Sequence, residues 1–143
     1  MAQWLSLNLK ENSMANEAKL IANTLFSETK DLEDARHIAS VIVKRTERPE
    51  RFGSTPTEVV LQPHQFSGVG TPEWFKADTQ SFKTDKEKNL YKSYLQIGYQ
   101  VANKTFEPIV DADHYFNPKL VVPGWAKKMK RQAQNNYHSY YKE

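Results

Sequence analysis

Leu25-Phe26-Ser27-Glu28-Thr29-Lys30 is the stretch that decides how this chain is read. It closes a helical pattern in which Met14, Ala18, Ile21 and Leu25 share one stripe, with Ala15, Ala22 and Phe26 beside it. Glu28 stands where the apolar helix gives way to a polar turn. A carboxyl group there faces the negative end of the helix dipole. A cleft that shields it from water raises its pKa. A carboxylic acid still protonated near neutral pH is equipped to act as a general acid. Taken alone, Glu28 reads as a solvated glutamate, as most are. The rest of the chain carries the stronger reading.

Before this stretch, residues 1–12 read as a polar–apolar lead-in, with Asn12 or Ser13 capping the helix. After it, Asp31 is the N-cap of a second helix whose buried face is Ala35, Ile38, Ala39, Ile42 and Val43, ending near Thr46. A loop follows over 47–53. Thr55-Pro56-Thr57-Glu58 then opens a short helix as cap, first-position proline and capping box, and Pro63 stops it. Gln65 to Pro72 is a glycine- and proline-punctuated loop, and 73–83 continues irregularly, anchored by Trp74, Phe75 and Phe82. Thr84-Asp85-Lys86-Glu87 opens a helix of about five turns carrying Leu90, Tyr91, Tyr94, Leu95, Val101 and Ala102. Ala112 to Pro118 reads as extended and ends in a turn. Pro123-Gly124-Trp125 starts a last short helix through Met129 and Ala133. The expected fold is mainly α, a single domain over 1–143 with little or short β structure.

The length of 143 residues suits one domain with a real core, and 38% hydrophobic with 26% charged residues reads as globular. Having no cysteine, the chain cannot use a disulfide framework, a thiol nucleophile or Cys-ligated metals. No apolar run reaches the length of a membrane span, so no stable membrane insertion is expected. Met1 to Lys10 has no basic n-region, so no signal peptide is read there. The net charge of +3 mildly favours anionic partners such as nucleic acid, a membrane surface or a cell wall.

His37, His64, His114 and His138 show no i, i+4 pair and no HExxH, so no metal site is expected, and no cofactor. Ser67 lies in no GxSxG elbow, and Gly68-Val69-Gly70 lacks the rest of a phosphate-loop fingerprint. Lys127-Lys128-Met129-Lys130-Arg131 with Tyr137, Tyr140 and Tyr141 has the basic–aromatic mix of single-strand nucleic-acid binders. It equally suits a helix with a solvated cationic face, and that reading is preferred. Carbohydrate cleavage makes better use of the residues present. It needs an acid that holds a proton, often a second carboxylate, and amides and rings to hold sugars. Glu28, Gln65, Phe66, Tyr115, Asn117, Trp125, Tyr140 and Tyr141 supply these in separate clusters.

In order, these segments resemble the SleB-type cell wall hydrolases, peptidoglycan-cleaving enzymes of spore germination and of bacteriophages. The resemblance runs from the helix ending in Leu25-Phe26-Ser27-Glu28 to the apolar helix ending in Lys44-Arg45. It continues through Val59-Val60-Leu61-Gln62-Pro63-His64-Gln65-Phe66-Ser67 and Ala112-Asp113-His114-Tyr115-Phe116-Asn117-Pro118. It closes on Trp125 and His138-Ser139-Tyr140-Tyr141, and so spans about 15–141. The chain departs from the pattern at Glu28-Thr29-Lys30-Asp31, where the family has Glu-Ala-Arg-Gly. Segment 71–88 is also longer and more charged than expected.

The resemblance implies a lysozyme-like α domain that cleaves the MurNAc–GlcNAc β-1,4 bond of bacterial peptidoglycan with Glu28. A lytic transglycosylase needs only that one glutamate. A hydrolytic muramidase needs a second carboxylate, for which Asp31, Glu33 and Asp34 are nearest, although each is also explained as a helix cap or first-turn charge. Gln65 and Ser67 are expected to border the cleft and Phe66 to buttress it. Tyr115, Asn117, Trp125, His138 and Tyr140 are expected to line or shape it, with a core role open for Trp125 and Phe116. The expected setting is phage-type lysis or wall penetration. The protein would be made in the host cytoplasm and act on the periplasmic or extracellular wall after release or as part of a virion. A non-catalytic wall-binding virion module and a nucleic-acid-binding protein are the competing classes, and no nucleic-acid partner is expected. The oligomeric state is not legible.

Overall fold

The computed structural model describes residues 2–143, with side chains from Asn12 onward. Six α-helices come first: α1 (Ala2–Glu28), α2 (Leu32–Thr46), α3 (Pro49–Phe52), α4 (Pro56–Leu61), α5 (Pro72–Asp78) and α6 (Asp85–Ala102). A small sheet follows, of β1 (His114–Phe116), β2 (Lys130–Gln134) and β3 (Ser139–Lys142), with a 3₁₀ turn at Gly124–Lys127. The fold is mainly α and lysozyme-like with a minor β component, as expected.

α1 is the spine. Its fully buried Ala18, Ile21, Ala22, Leu25 and Phe26 face α6 and α5. α6 approaches so closely that a Cβ on Gly98 would lie 2.3 Å from the Ala18 carbonyl oxygen, so only glycine permits this crossing. Polar residues on α1 are satisfied across the same interface. Asn23 accepts from Tyr91 Oη at 2.6 Å and donates to Asp78 at 3.0 Å, and Trp74 Nε1 donates to Thr24 Oγ1 at 3.3 Å. Below, α2 buries Ala35, Ile38, Ala39, Val41 and Ile42, and α4 adds Val59 and Val60.

Several helix starts form as their sequences dictate. Asp31 accepts from the Asp34 N–H at 2.9 Å, Thr55 from Glu58 at 3.2 Å and Thr84 from Glu87 at 3.2 Å. The reciprocal half of the Thr55 box is displaced: Glu58 accepts from the Ser54 N–H at 2.7 Å, one residue before the cap.

Four expectations are corrected. Helix α1 begins at Ala2 and runs through Asn12 and Ser13 rather than being capped there. The 47–53 loop contains α3, started by Pro49. The segment placed as irregular opens with α5, whose cap Thr71 accepts from Trp74 with Pro72 in the first turn. The expected last helix through Ala133 is instead a single 3₁₀ turn followed by β2. The basic run Lys127–Arg131 therefore lies along a turn and an edge strand. Among the described residues, no helix is long and apolar enough to cross a membrane.

The sheet order is β1-β3-β2, antiparallel throughout, with Tyr115 opposite Tyr140 and a bulge in β2 between Arg131 and Ala133. Strand alternation divides its aromatics. Tyr115 stacks on Tyr140 at 5.6 Å on the helix side. His114, Phe116 and Tyr141 gather around Trp125 on the other, with centroids 5.0, 5.6 and 5.7 Å away.

Candidate active site

The last residue of α1 is Glu28, and the chain turns away at once. Thr29 N–H still bonds the Leu25 carbonyl at 3.0 Å, Tyr94 Oη donates to the Thr29 carbonyl at 2.9 Å, and Asp31 starts α2. Lys30, at the position of the family arginine, folds back over the Phe26 ring at 3.9 Å. It hydrogen-bonds the Phe26 carbonyl and pairs with Glu73 at 3.1 Å. Its charge is thus spent on the helix C-terminus, where a cation is favoured, and on α5.

The loop after α4 covers Glu28. A Cβ on Gly68 would lie 2.1 Å from Ser27 Oγ, so the glycine lets this loop backbone rest on the end of α1. From there Gly68 N–H points to Glu28 Oε1 at 3.5 Å. Gln65 is held from behind by Arg45. This buried guanidinium at the end of α2 donates to Gln65 Oε1 at 2.9 Å and to the Asp113 carbonyl at 2.8 Å. It also sits over the rings of Phe52 and Phe66, at 4.9 and 5.4 Å. Phe66 is buried, with its ring 6.3 Å from Tyr115.

Burial raises the Glu28 pKa. The Gly68 amide, the His138 charge and the Tyr115 hydroxyl oppose that rise without cancelling it, and the Asp34 charge adds to it. Burial likewise pushes the Tyr115 hydroxyl well above its ordinary value, and the neighbouring Glu28 adds to this.

Two openings share Ser27, Glu28, Asn117 and His138 in their walls. One is a cleft of about 470 Å³ lined by Ser27, Glu28, His64, Gln65, Ser67, Tyr115, Phe116, Asn117, Leu120, Val121 and His138. The other is a groove of about 320 Å³ lined by Ser27, Glu28, Thr29, Lys30, Asn117, Tyr137 and His138. Among the described residues, Glu28 is the only carboxylate lining either.

The three residues considered as a second carboxylate are placed apart from it. Asp31 is the α2 cap, and Glu33 is exposed. Asp34 is fully buried beneath the cleft, where it accepts from His138 Nδ1 at 2.7 Å, Tyr140 Oη at 2.6 Å and Asn135 Nδ2 at 2.8 Å. Burial alone would raise the Asp34 pKa, but these donors outweigh it and hold the carboxyl below its ordinary range.

The structure brings Glu28, Gln65, Ser67, Tyr115, Asn117 and His138 together at the cleft, with Phe66 behind them. Tyr140 lies underneath, acting on Asp34 rather than facing the opening. Trp125 is placed on the far face of the sheet. Residues missed in the sequence are Asp34 as the anchor of His138, Gly68, Leu120 and Val121 at the rim, and Tyr137. The approach of Gly68 to Ser27 had a visible signal, a glycine directly after Gln-Phe-Ser. The role of Asp34 had none, since its partners are a hundred residues away along the chain.

Residues 29–141 match the family described as cell wall hydrolase, beginning one residue after Glu28. The chain belongs to the cell wall hydrolase family. Its fold is that of the catalytic domain of the germination-specific lytic transglycosylase SleB from Bacillus anthracis. That match has a TM-score of 0.59 and 22% identity, covering 89% of this chain and 94% of the SleB domain. A search of curated proteins gives no significant match.

Proposed function

We propose that this cell wall hydrolase cleaves the MurNAc–GlcNAc β-1,4 bond as a lytic transglycosylase, with Glu28 as both acid and base. The observation that carries the reading is a shielded glutamate with a raised pKa, alone among the carboxylates of the described residues in the walls of the two adjoining openings. The SleB catalytic domain it resembles belongs to a lytic transglycosylase.

Protonated Glu28 gives its proton to the glycosidic oxygen as the bond to MurNAc C1 breaks. The bonding electrons leave with the GlcNAc oxygen, and positive charge develops at C1 and the ring oxygen. The Glu28 carboxylate, now stabilised by the Gly68 amide and the Tyr115 hydroxyl, takes the proton of the MurNAc C6 hydroxyl. That oxygen closes on C1, giving the 1,6-anhydro product and restoring protonated Glu28. No water enters, so no second carboxylate is needed to activate one.

Gln65, Ser67, Tyr115, Asn117 and His138 are proposed to hold the sugars, with Phe66 and Tyr140 supporting them from behind. The setting we propose is phage-type lysis or wall penetration. Its test is whether wall-degrading activity of this mass is found in infected-cell lysates or purified virions. For the chemistry, dye release from labelled sacculi is the direct assay. Glu28→Gln is expected to retain its fold and lose activity by at least about 10²-fold, the usual contribution of a positioned acid. A variant as active as the parent would rule out Glu28.

A further inference from the structure

The smaller groove at Glu28 includes an exposed aromatic side chain that no step above uses. Tyr137 is 46% exposed and lines this groove with Ser27, Thr29, Lys30, Asn117 and His138. It stands on the turn between β2 and β3, and that turn is fixed at its base. Asn135 Oδ1 accepts from the N–H groups of Tyr137 and His138 at 2.8 and 2.9 Å, while its Nδ2 donates to the buried Asp34 at 2.8 Å. One fully buried carboxylate on α2 therefore sets the position of both Tyr137 and His138, each on the wall of the same groove.

We propose that Tyr137 is the platform of a glycan subsite in this groove, stacking on one N-acetylated hexose of the strand while Glu28 acts on the adjoining bond. The inference rests on the glycan-cleaving reading above. A pyranose presents C–H groups on its faces and hydroxyl or amide groups round its edge. It therefore calls for one flat apolar surface with polar groups beside it, and Tyr137 with Ser27, Asn117 and His138 offers that combination. The larger cleft has a different rim, with Leu120 and Val121 81% and 56% exposed. Lys30 does not compete for the role, because its ammonium is held by Glu73 and the Phe26 carbonyl. An exposed ring without a ligand gains nothing from such bracing. A stacking surface does, since a ring already held in place loses less freedom on binding.

Binding is measured separately from cleavage, using Glu28→Gln as the background and peptide-free GlcNAc–MurNAc strands, prepared by amidase digestion of sacculi, as the probe. By isothermal titration, adding Tyr137→Ala is expected to weaken binding about tenfold, the effect of removing one well-placed aromatic contact. Tyr137→Phe is expected to bind within about twofold of the background, because the ring face is kept. Asn135→Ala is expected to weaken binding even though it leaves the ring intact. Equal affinity for Tyr137→Ala and its background overturns the proposal, as does an equal loss with Tyr137→Phe. Release of soluble product by the otherwise unmodified chain is scored alongside. Binding that depends on Tyr137 without any product leaves the platform standing and removes the catalytic reading. Product with no dependence on Tyr137 does the reverse.

Discussion

At the residue scale, the half-buried Glu28 and the fully buried Asp34 are two carboxyls of opposite character. Glu28 has its pKa raised above 4.5 by burial, so its neutral form is favoured in the folded state. The sign follows: its stabilising contribution is full below 4.5 and is lost as pH rises through the raised value. Glu28→Gln, which removes an ionisable group from a shielded site, is expected to melt higher than the parent at neutral pH. The difference should close below 4.5, and melting curves across pH check this. For the same reason kcat/KM of the parent is expected to fall as pH rises through the Glu28 pKa, because the free enzyme must carry the proton. Asp34 is the reverse case, with its pKa lowered from 3.8. It stabilises the fold above that value, and the contribution is lost as acidity drives the carboxyl through its depressed pKa. Asp34→Asn leaves buried donors mismatched and is expected to cost about 3 kcal/mol in denaturant unfolding.

At the element scale, the site depends on two glycines that allow a close approach of the backbone to a neighbouring element. Gly98 brings α6 onto α1 at Ala18, and Gly68 brings the Gln65–Gly70 loop onto Ser27. Gly68→Ala is expected to lift that loop, remove the amide from Glu28 and lower activity by up to about 10²-fold, as small misplacements at reacting groups do. Adding Ser27→Gly, which deletes both close side-chain atoms, is expected to restore much of the loss. Failure of the rescue would mean that the loop acts otherwise. Helices whose caps and apolar stripes are local were legible: α2, α4 and α6 begin where Asp31, Thr55 and Thr84 predict. The start of α5 carries the same threonine–proline signal at Thr71-Pro72, hidden by the glycine-rich loop before it. The Gly124–Gln134 segment was misread because its strand is paired from outside. β2 takes its hydrogen bonds from β3, and nothing in Lys130–Gln134 itself declares that partner.

For the whole molecule, the candidate active site is where a helical spine meets a small sheet. α1 delivers Glu28, the α4–α5 loop covers it, and β1 and the β2–β3 turn supply Tyr115, His138 and Tyr137. Arg45 and Asp34, at opposite ends of α2, tie that helix to the loop and to the sheet. Glu28 and the Gln65-Phe66-Ser67 border were readable because each lies in a compact local pattern. The Asp34 anchor and the Tyr137 groove were not, since both exist only once the sheet has folded back across α2. Arg45→Lys keeps the charge but loses the forked donation to Gln65 and Asp113. It is expected to lower activity more than melting temperature, read by dye release beside calorimetry.

The central claim is that one carboxyl does the chemistry without water. Mass spectrometry of muropeptides released from purified sacculi, parent beside Glu28→Gln, tests it most directly. The account predicts fragments ending in 1,6-anhydroMurNAc from the parent and none from the variant. Fragments ending in reducing MurNAc would contradict it, because water would then have been activated by a group that neither groove wall supplies.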